Sequence, residues 1–236
     1  MRARRGQLQR LTAFEGLDVV IPTLNAAATL PSTLASLPPN AAVVVSDGGS
    51  TDATLDIARA AGCRIVTGPR GRGRQLAAGA EAADRSWRLF LHADTVVSSD
   101  GWTAIAGHMA RLDRAHRAAS LRLKIDDPAW QARLIERAVA WRVRLFGLPY
   151  GDQGLLIHRE LYARVGGYAP LPLMEDVDIM RRLGPARHTA LAGEALTSAR
   201  RWRRRGWAGQ TVLNLTCLGL YRLGAPVERI ARLYER

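Results

Sequence analysis

Short apolar runs alternate with helix-forming segments through the first part of this 236-residue chain. The runs occupy residues 18–21, 42–46, 64–66 and 87–91, and each is followed by proline, glycine or polar residues. Runs of this length are typical of strands that are buried on both faces of a parallel sheet. Strands and helices that alternate with short connections predict an α/β fold, in which helices flank a mostly parallel, Rossmann-like sheet.

The segments between these runs predict helices over residues 25–37, 51–61 and 73–83. Asn25 is expected to cap the first helix, and Gly62 is expected to end the second. Pro31 falls inside the first segment, where a proline would interrupt a helix.

The second half of the chain has a less regular pattern. Its predicted helices cover residues 101–118, 128–146, 176–183, 210–223 and 226–234, with a further helix from residue 159 that ends at 166–167. Strands are predicted at 120–125 and 155–157. Because no repeat, low-complexity tract or flexible linker interrupts the sequence, residues 1–236 are expected to form one domain with a helical C-terminal extension.

The net charge of the chain limits the classes of partner that it is expected to bind. The formal net charge is +13, carried almost entirely by arginine because Lys124 is the only lysine. The codon bias of a GC-rich genome explains such a preference, and the remaining excess could serve phosphate-bearing substrates or an anionic membrane surface. Because the apolar fraction is 47%, disorder is not expected except at the ends of the chain.

Several features bear on location. Cys63 and Cys217 lack the spacing of a metal site and are expected to be free thiols in a reducing compartment. No long apolar run follows the basic N-terminus, so a signal peptide is not expected. The late apolar stretch at 212–221 is too short to span a bilayer. We therefore expect a cytoplasmic protein, peripheral at the inner face of the membrane at most.

The second apolar run is followed by an acid and two glycines, Asp47-Gly48-Gly49, and the motif continues with Ser-Thr-Asp. The glycines let the backbone approach a ligand closely, and an acid at a strand end can accept from a base N–H or a ribose hydroxyl. An ordinary strand–turn–helix junction uses the same residue types and remains an alternative.

A second glycine-rich junction, Arg70-Gly71-Arg72-Gly73-Arg74, follows the third run. Guanidinium groups fit phosphate oxygens, so this loop could bind a diphosphate. The lysine and the spacing of a P-loop are absent. A solvated basic turn is the alternative.

Carboxylates add further candidate chemistry. Asp94 follows the fourth run in His92-Ala93-Asp94, a position that suits Mg²⁺ or Mn²⁺ bridging substrate phosphates. Glu175 and Asp176 follow an apolar lead-in, and partial burial beside a second carboxylate raises a carboxyl pKa, which suits a general base. Acids that favour a helix dipole at its N-terminus are the alternative for this pair.

Two more segments mix polar or basic residues with glycine or tryptophan. The turn at 150–154, which contains Asp152 and Gln153, could bind an acceptor hydroxyl or only make the turn. The run at 200–207, which contains Arg201 and Trp202, could clamp a diphosphate, bind nucleic acid or lie on a membrane.

Four motifs together resemble the family 2 glycosyltransferases of the GT-A fold. They are Val20-Ile21-Pro22-Thr23-Leu24-Asn25, Asp47-Gly48-Gly49-Ser50-Thr51-Asp52, Leu91-His92-Ala93-Asp94 and Glu175-Asp176, in the family's order across roughly residues 17–207. The 70–75 loop, the 151–154 turn and the 221–234 segment are similar to those of a small bacterial subgroup associated with radical-SAM and arsenosugar gene neighbourhoods. The resemblance implies an inverting sugar transfer from a nucleotide-sugar, with a nucleotide-binding half at about 17–98 and an acceptor-side half with C-terminal helices at about 99–236.

The motifs and the resemblance together assign roles to single residues. The nucleotide-binding set comprises Pro22, Thr23, Asn25, Asp47, Gly48, Gly49, Arg70, Gly73, Arg74, Gln75 and His92. By resemblance, Asp47 matches the acid that meets the nucleobase, and Asp94 matches the last acid of the metal-binding motif. Asp176, beside Glu175, matches the catalytic base. Asp152, Gln153, Arg201 and Trp202 are assigned to the acceptor or diphosphate side.

The sequence departs from the family pattern at two positions. Ala26 stands where the family usually has a glutamate, so one ribose or base contact is missing or supplied elsewhere. His92 replaces the first aspartate of the metal motif, which leaves Asp94 as the sole clear carboxylate ligand. His188 is a candidate third ligand by position only.

The expected partners follow from this reading. They are a nucleotide-sugar donor, with UDP preferred by resemblance, a divalent Mn²⁺ or Mg²⁺ ion, and a small-molecule or lipid-linked acceptor. No nucleic acid partner is expected, and a homo-oligomer is compatible with the sequence. The basic amphipathic helix at 128–146 and the last two helices could lie at a membrane interface, with a core or dimer contact as the alternative.

Two other functions stay open. A basic nucleic-acid-binding module would use the net charge of +13. A nucleotidyltransferase of related architecture would favour a lysine-bearing, glycine-rich loop near the first strand, and this chain has no lysine there.

Overall fold

The computed structural model describes residues 13–235. The strands are β1 (Leu17–Thr23), β2 (Ala42–Asp47), β3 (Arg64–Thr67), β4 (Trp87–Phe90), β5 (Thr95–Val97), β6 (Ala118–Asp126), β7 (Leu155–His158) and β8 (His188–Ser198). The helices are α1 (Leu30–Ala35), α2 (Thr54–Ala60), α3 (Arg72–Glu81), α4 (Ser99–Met109), α5 (Trp130–Phe146), α6 (Arg159–Arg164), α7 (Glu175–Leu183), α8 (Arg200–Arg205), α9 (Trp207–Arg222) and α10 (Val227–Glu235). Within residues 13–235, none of the helices is both long and apolar enough to cross a membrane.

The strands form a single sheet in the order β3-β2-β1-β4-β7-β6-β8-β5. The first four strands in this order are parallel to one another. β7 is antiparallel to both β4 and β6, β8 is parallel to β6, and β5 is antiparallel to β8. The α/β fold with a parallel first half is therefore confirmed, and the second half of the chain extends the same sheet with mixed pairing.

The register of the parallel strands brings their carboxyl ends to one edge. Thr23 at the end of β1 lies opposite Asp47 at the end of β2, which lies opposite Thr67 at the end of β3. Val20 lies opposite Phe90, so β4 ends beside β1. Ligands of open α/β sheets collect at such an edge, where strand order reverses around β1.

Two hydrophobic cores cover the faces of the sheet, and β1 contributes to both. Val20 packs in one core with Leu76 of α3. Val19 packs in the other with Leu30 of α1 and Ile105 of α4. This burial on both faces explains why the first strand is apolar at successive positions rather than at alternate ones.

The predicted helical C-terminal extension is confirmed. α9 and α10 join the same core as Val20 through Cys217 and Ile230, which are both fully buried. Cys63 and Cys217 are unpaired, as expected. The extension is therefore an integral part of the packed fold.

The predicted start of the first helix is wrong. Asn25 adopts a left-handed backbone conformation, with φ 51°, and caps no helix. α1 begins at Leu30, so Pro31 occupies its first turn, where an N–H donor is not required.

Two further helix boundaries differ from the prediction. α2 begins at Thr54 rather than at residue 51, because Asp52 Oδ1 accepts a hydrogen bond from the Thr54 backbone N–H in a preceding turn. The helix predicted over 101–118 ends at Met109, and Ala118 already begins β6.

β5, β8 and α8 were not predicted from the sequence. β8 is an 11-residue strand that contains three alanines and one glycine, and both residue types are poor strand formers. The structure explains its glycine, because a Cβ atom on Gly193 would lie 2.1 Å from the Cα atom of Gly101. α4 therefore approaches β8 too closely at this position for any side chain.

Candidate active site

The carboxylate of Asp47 organises the loop after β2. Oδ1 accepts hydrogen bonds from the hydroxyls of Thr23 at 2.9 Å and Ser50 at 2.5 Å. Oδ2 accepts from the backbone N–H groups of Gly49 at 2.9 Å and Ser50 at 2.8 Å. Burial opposes ionisation, but these hydrogen bonds outweigh it and lower the pKa of Asp47. Since a carboxylate offers about four acceptor positions, Asp47 is fully occupied within its own loop.

Asn25 ties the end of β1 to the same loop. Its backbone N–H donates to Ser50 Oγ at 2.8 Å, and its Oδ1 accepts from the Thr51 backbone N–H at 2.9 Å. The left-handed conformation that makes this possible is one that asparagine tolerates better than most residues. The structure therefore brings together Pro22, Thr23, Asn25, Asp47, Gly48 and Gly49, which we call the strand-end cluster.

Gln75 supports the strand-end cluster from behind. Its Nε2 donates to the backbone carbonyls of Thr23 at 2.7 Å and Ser46 at 3.0 Å. A Cβ atom on Gly48 would lie 2.9 Å from Gln75 Cδ, so the loop passes directly over this side chain. Gln75 thus holds the ends of β1 and β2 together.

Gly73 lets the first turn of α3 pack against residues 169–171. Its N–H donates to the Leu171 carbonyl at 3.0 Å, and a Cβ atom would lie 2.3 Å from the Ala169 carbonyl oxygen. Gly73 is therefore a packing residue in this structure. Arg70 and Arg74 are exposed and lie outside the lining of the cleft described below.

Arg72, which the sequence analysis assigned no separate role, forms an ion pair with Glu175 inside the protein. Arg72 Nε contacts Glu175 Oε1 directly, and Arg72 Nη2 lies 3.4 Å from Oε2. Burial raises the pKa of Glu175, Arg72 opposes this rise, and Asp176 adds to it. Glu175 is fully buried, so it positions Arg72 rather than facing solvent.

Asp176 follows this pair in the first turn of α7. Its Oδ2 accepts a hydrogen bond from the Gly151 backbone N–H at 2.9 Å, and its Oδ1 accepts from the Val177 N–H at 2.8 Å. Met174, just before α7, adopts a left-handed conformation with φ 64°. This conformation is uncommon for a residue other than glycine and sets the direction in which α7 begins.

An open cleft of about 640 Å³, its mouth included, lies beside Asp176. It contains five of the predicted site residues, namely His92, Asp152, Asp176, Arg201 and Trp202. These residues come from separated parts of the sequence, yet the fold places two carboxylates, an imidazole and a guanidinium around one opening. The residues of the strand-end cluster are not part of this lining.

His92 packs against the turn that holds Asp176. A Cβ atom on Gly151 would lie 2.5 Å from His92 Nε2. Burial lowers the pKa of His92 well below its usual value, and the charges of Arg72 and Arg201 lower it further. The imidazole is therefore neutral near pH 7.

Asp152 presents an unsatisfied oxygen within the cleft wall. Its Oδ1 is buried and has no hydrogen-bond partner among the residues that the structure describes. Burial raises the pKa of Asp152 to about 6, Arg142 opposes the rise, and Asp176 adds to it. A buried acceptor without a donor is costly, so this oxygen is a candidate contact for a ligand hydroxyl.

Gln153 lies behind the cleft, where it is part of the scaffold. Its Nε2 donates to the Leu121 carbonyl at 2.9 Å, and its Oε1 accepts from Arg142 at 3.4 Å. Arg142 also stacks over the ring of Tyr150, 3.4 Å from its centroid. Tyr150 itself lines the cleft.

The C-terminal helices supply the opposite wall. Trp202 stacks on Trp207 with ring centroids 6.2 Å apart. Three cleft residues on α9 and α10 were not predicted from the sequence, namely Gln210, Asn214 and Tyr234. Gln210 donates to Asn214 at 2.8 Å. Two polar residues four apart on a largely apolar helix are the sequence signal that could have identified Gln210 and Asn214.

Asp94 lies just beyond β4, outside the cleft lining. Its carboxylate makes no hydrogen bond or ion pair within residues 13–235, so both oxygens are available. No group of three or more potential metal ligands occurs in this described part of the chain. The residues fit an ion such as Mg²⁺ or Mn²⁺, which binds through one or two carboxylates and takes further ligands from substrate phosphates and water.

His188 is not a third ligand. It begins β8 and shares a hydrogen bond of 2.9 Å with Ser120 Oγ. Asp94 adjoins the other end of that strand, where its carbonyl accepts from the Ser198 N–H. Ten residues of strand correspond to about 30 Å, so the two side chains belong to opposite edges of the sheet.

Comparison with known sequences adds a family match. A model described as glycosyl transferase family 2 matches residues 18–169. An uncharacterized glycosyltransferase of Mycobacterium bovis is 30% identical over 137 residues, which cover 56% of this chain and 61% of the relative. An uncharacterized glycosyltransferase of Mycobacterium tuberculosis matches to the same extent. The chain thus spans less than two thirds of the length of these curated relatives.

Solved structures match over most of the chain. Glucosyl-3-phosphoglycerate synthase from Mycobacterium tuberculosis, in complex with Mn²⁺, UDP and glucosyl-3-phosphoglycerate, has a TM-score of 0.59 and 22% identity, covering 94% of this chain and 84% of that one. TarS of S. aureus has a TM-score of 0.58 and 16% identity, covering 86% of this chain and 39% of that one. At these identities the likeness confirms the fold.

Proposed function

Because the chain belongs to glycosyl transferase family 2, we propose that it transfers a sugar from a nucleoside-diphosphate donor to an acceptor hydroxyl, with inversion at the anomeric carbon. A UDP-sugar is the favoured donor, since a structural neighbour of the same fold contains UDP. The acceptor is a small molecule or a lipid-linked group. The division into a nucleotide-binding half at about 17–98 and an acceptor-side half at about 99–236 stays a prediction.

The observation that carries this proposal is the placement of Asp176. Its carboxylate faces the cleft, is fixed by the Gly151 N–H at 2.9 Å, and lies in the same lining as Arg201 and Asp152. A fixed carboxylate in a partly enclosed cleft can act as a general base. The acceptor oxygen then bonds to the anomeric carbon while the bond from that carbon to the diphosphate oxygen breaks, and the acceptor proton passes to Asp176.

Positive charge is available for the leaving diphosphate. Arg201 is exposed at the cleft and has no carboxylate bound to it within residues 13–235, whereas Arg72 is held by Glu175. A guanidinium group can offset the charge that develops on the leaving group. Asp94 would hold the divalent cation, Mn²⁺ or Mg²⁺, and a bound cation would offset charge on the same diphosphate.

The nucleotide is assigned to the strand-end cluster, next to the cleft along the sheet edge. Gly48 and Gly49 leave the loop backbone open to close approach by a planar base. The base contact predicted for Asp47 requires its carboxylate to exchange one of its four internal hydrogen bonds for a base N–H. Roles for Arg70, Arg74 and Gln75 in nucleotide binding stay predictions.

On the acceptor side we assign Asp152 and Trp202. The buried, unpartnered Oδ1 of Asp152 would accept from an acceptor hydroxyl, and the indole of Trp202 offers an apolar surface for a sugar or lipid-linked group. Membership of the radical-SAM and arsenosugar-associated subgroup, which rests on the 70–75 loop, the 151–154 turn and the 221–234 segment, also stays a prediction.

The two alternative functions fit the structure less well. Asp152 and Asp176 in the cleft would repel an extended phosphate backbone, which disfavours a nucleic-acid partner at this site. A nucleotidyltransferase would favour a lysine near the first strand, and the only lysine, Lys124, lies on β6.

A ligand panel tests the proposal. The melting temperature is measured with UDP, GDP, dTDP and their sugar conjugates, each with Mn²⁺ and with EDTA, because a ligand that binds only the folded protein raises it. A rise with at least one nucleotide-sugar, larger in Mn²⁺, supports the proposal. No rise with any of these nucleotides, together with a rise with oligonucleotide, overturns it.

A further inference from the structure

The outer side of α5 carries a row of large apolar side chains that the described chain leaves uncovered. Trp130, Leu134, Trp141 and Leu145 are 69%, 56%, 60% and 62% exposed. At about 100° per residue, these four residues fall within an arc of about 60° and extend over about 22 Å of helix. We call this set the α5 stripe.

The helix has a second, separate apolar face that is already buried. Ala132, Val139 and Val143 pack in a small core with Trp202 and the end of β6. The α5 stripe is therefore not needed to hold α5 on the protein. Single exposed apolar residues are normal, but a continuous row of them on one helix marks a docking surface.

The exposed charges of α5 beside the stripe have one sign. Arg137 and Arg144 are exposed on the same side of the helix, and the Arg144 guanidinium lies 5.9 Å from the Trp141 ring centroid. The one acidic residue of α5, Glu136, is 13% exposed and pairs with Arg133 at 2.8 Å. The outer side of this helix is thus apolar and cationic.

We propose that the α5 stripe docks the protein on the surface of an anionic lipid bilayer, with α5 lying parallel to the membrane plane. Tryptophan at headgroup depth, leucine reaching the acyl boundary and arginine beside anionic phosphates are the features of interfacial helices. A second copy of the chain would bring like-charged arginines together across the contact, so lipid is the occupant that complements the charge.

The α5 stripe and the cleft lie on opposite sides of α5. On the inner side of α5, Arg142 stacks on Tyr150, which lines the cleft, and Val139 and Val143 pack in one core with Trp202. Docking would hold this wall of the cleft near the membrane surface, as a lipid-linked acceptor requires. That consequence rests on the proposed function, whereas the docking itself does not.

Vesicle co-sedimentation tests the docking. The full-length protein is mixed with vesicles of phosphatidylcholine alone or of phosphatidylcholine with phosphatidylglycerol, and its tryptophan emission is recorded. We expect it to sediment with the anionic vesicles with a blue shift, and to stay in solution with the neutral ones. Trp130→Ser/Trp141→Ser should abolish both signals while far-UV circular dichroism is unchanged, because both side chains are exposed.

A charge pair sharpens the test. Arg137→Gln/Arg144→Gln should lower the partition coefficient about thirtyfold. Arg59→Gln/Arg111→Gln removes equal charge from exposed arginines elsewhere and should leave the partition coefficient unchanged. The proposal is overturned if wild type does not bind anionic vesicles, if the tryptophan variant binds like wild type, or if light scattering shows a wild-type dimer that this variant converts to a monomer. Nucleotide-sugar binding, measured separately, reports on the proposed function alone.

Discussion

The backbone N–H of Gly151 donates a hydrogen bond of 2.9 Å to Oδ2 of Asp176. It joins the turn before β7 to the first turn of α7, two segments that are distant in sequence. The bond fixes the rotamer of the carboxylate in the cleft without adding a charged partner to it. This arrangement leaves Asp176 able to take a proton from an acceptor, and it makes the turn at Gly151 a positioning element for the proposed base.

Replacement of Asp176 by asparagine tests the proposed base. Asp176→Asn keeps the size of the side chain but cannot accept a proton, so turnover should fall by about 10²–10⁴-fold while donor affinity changes little. Sugar-transfer or donor-hydrolysis kinetics and calorimetric titration measure the two quantities. Asp178→Asn is the matched control, since Asp178 pairs with Arg182 at 2.5 Å outside the cleft lining. Equal rates in the two variants would refute the assignment.

Substitution of Gly151 tests the positioning turn. In Gly151→Ala the new methyl group would lie 2.5 Å from His92 Nε2 and must displace either the imidazole or the turn. We expect the free energy of unfolding to fall by about 1–3 kcal/mol, and turnover to fall with it as Asp176 loses its anchor. Gly107→Ala on α4 is the control, because nothing lies within 4 Å of its added Cβ atom. Unchanged turnover in Gly151→Ala would show that the turn does not position the Asp176 carboxylate.

Asp94 carries the metal prediction. If its carboxylate holds the divalent ion, Asp94→Asn should abolish the increase in UDP affinity that Mn²⁺ produces, while affinity in EDTA stays the same. Calorimetric titration with UDP measures both conditions. Asp100→Asn, which alters an exposed acid in the first turn of α4, should behave like wild type. A Mn²⁺ effect that survives in Asp94→Asn would place the ion elsewhere.

The pKa of Asp152 predicts a dependence of stability on pH. Burial raises this pKa from 3.8 to about 6, so between these values the folded protein holds a proton that the unfolded chain has released. The free energy of unfolding therefore falls as pH rises through this window. Asp152→Asn cannot ionise and should be more stable than wild type by about 1–3 kcal/mol near pH 7 and not at pH 4.

Thermal denaturation over this pH range measures the effect. Asp126→Asn, at an exposed position of β6, serves as the control and should follow the wild-type profile. If the Asp152→Asn profile also follows wild type at every pH, the carboxyl group is solvated and the unpartnered oxygen has no special role.

The parallel half of the sheet could be predicted because its signal is local. Val19, Val20 and Ile21 are apolar in succession, as a strand covered on both faces requires, and the polar motifs follow the strand ends directly. The structure places Asp176 in one cleft with Arg201 and Trp202, and the roles assigned to them from the sequence stay predictions.

Other features depend on contacts distant in sequence. Arg70, Arg72 and Arg74 look alike in the sequence, and only the packing of α3 against residues 169–171 decides that Arg72 turns inward to Glu175. The sequence predicts that Gln75 contacts the nucleotide, but in the structure its hydrogen-bond partners are the backbone carbonyls of two neighbouring strand ends. β8 was not predicted because its alanines and glycine are poor strand formers, and Gly193 is required by the close approach of α4, a contact that is distant in sequence.

We propose above all that a nucleotide-sugar binds along the edge formed by the strand-end cluster and the cleft. A crystal structure of Asp176→Asn grown with a UDP-sugar and Mn²⁺ tests it most directly. We expect the nucleobase at the strand-end cluster, the diphosphate near Asp94 and Arg201, and the sugar beside residue 176. Donor density outside this edge, with the cleft filled by the protein's own side chains, would contradict it.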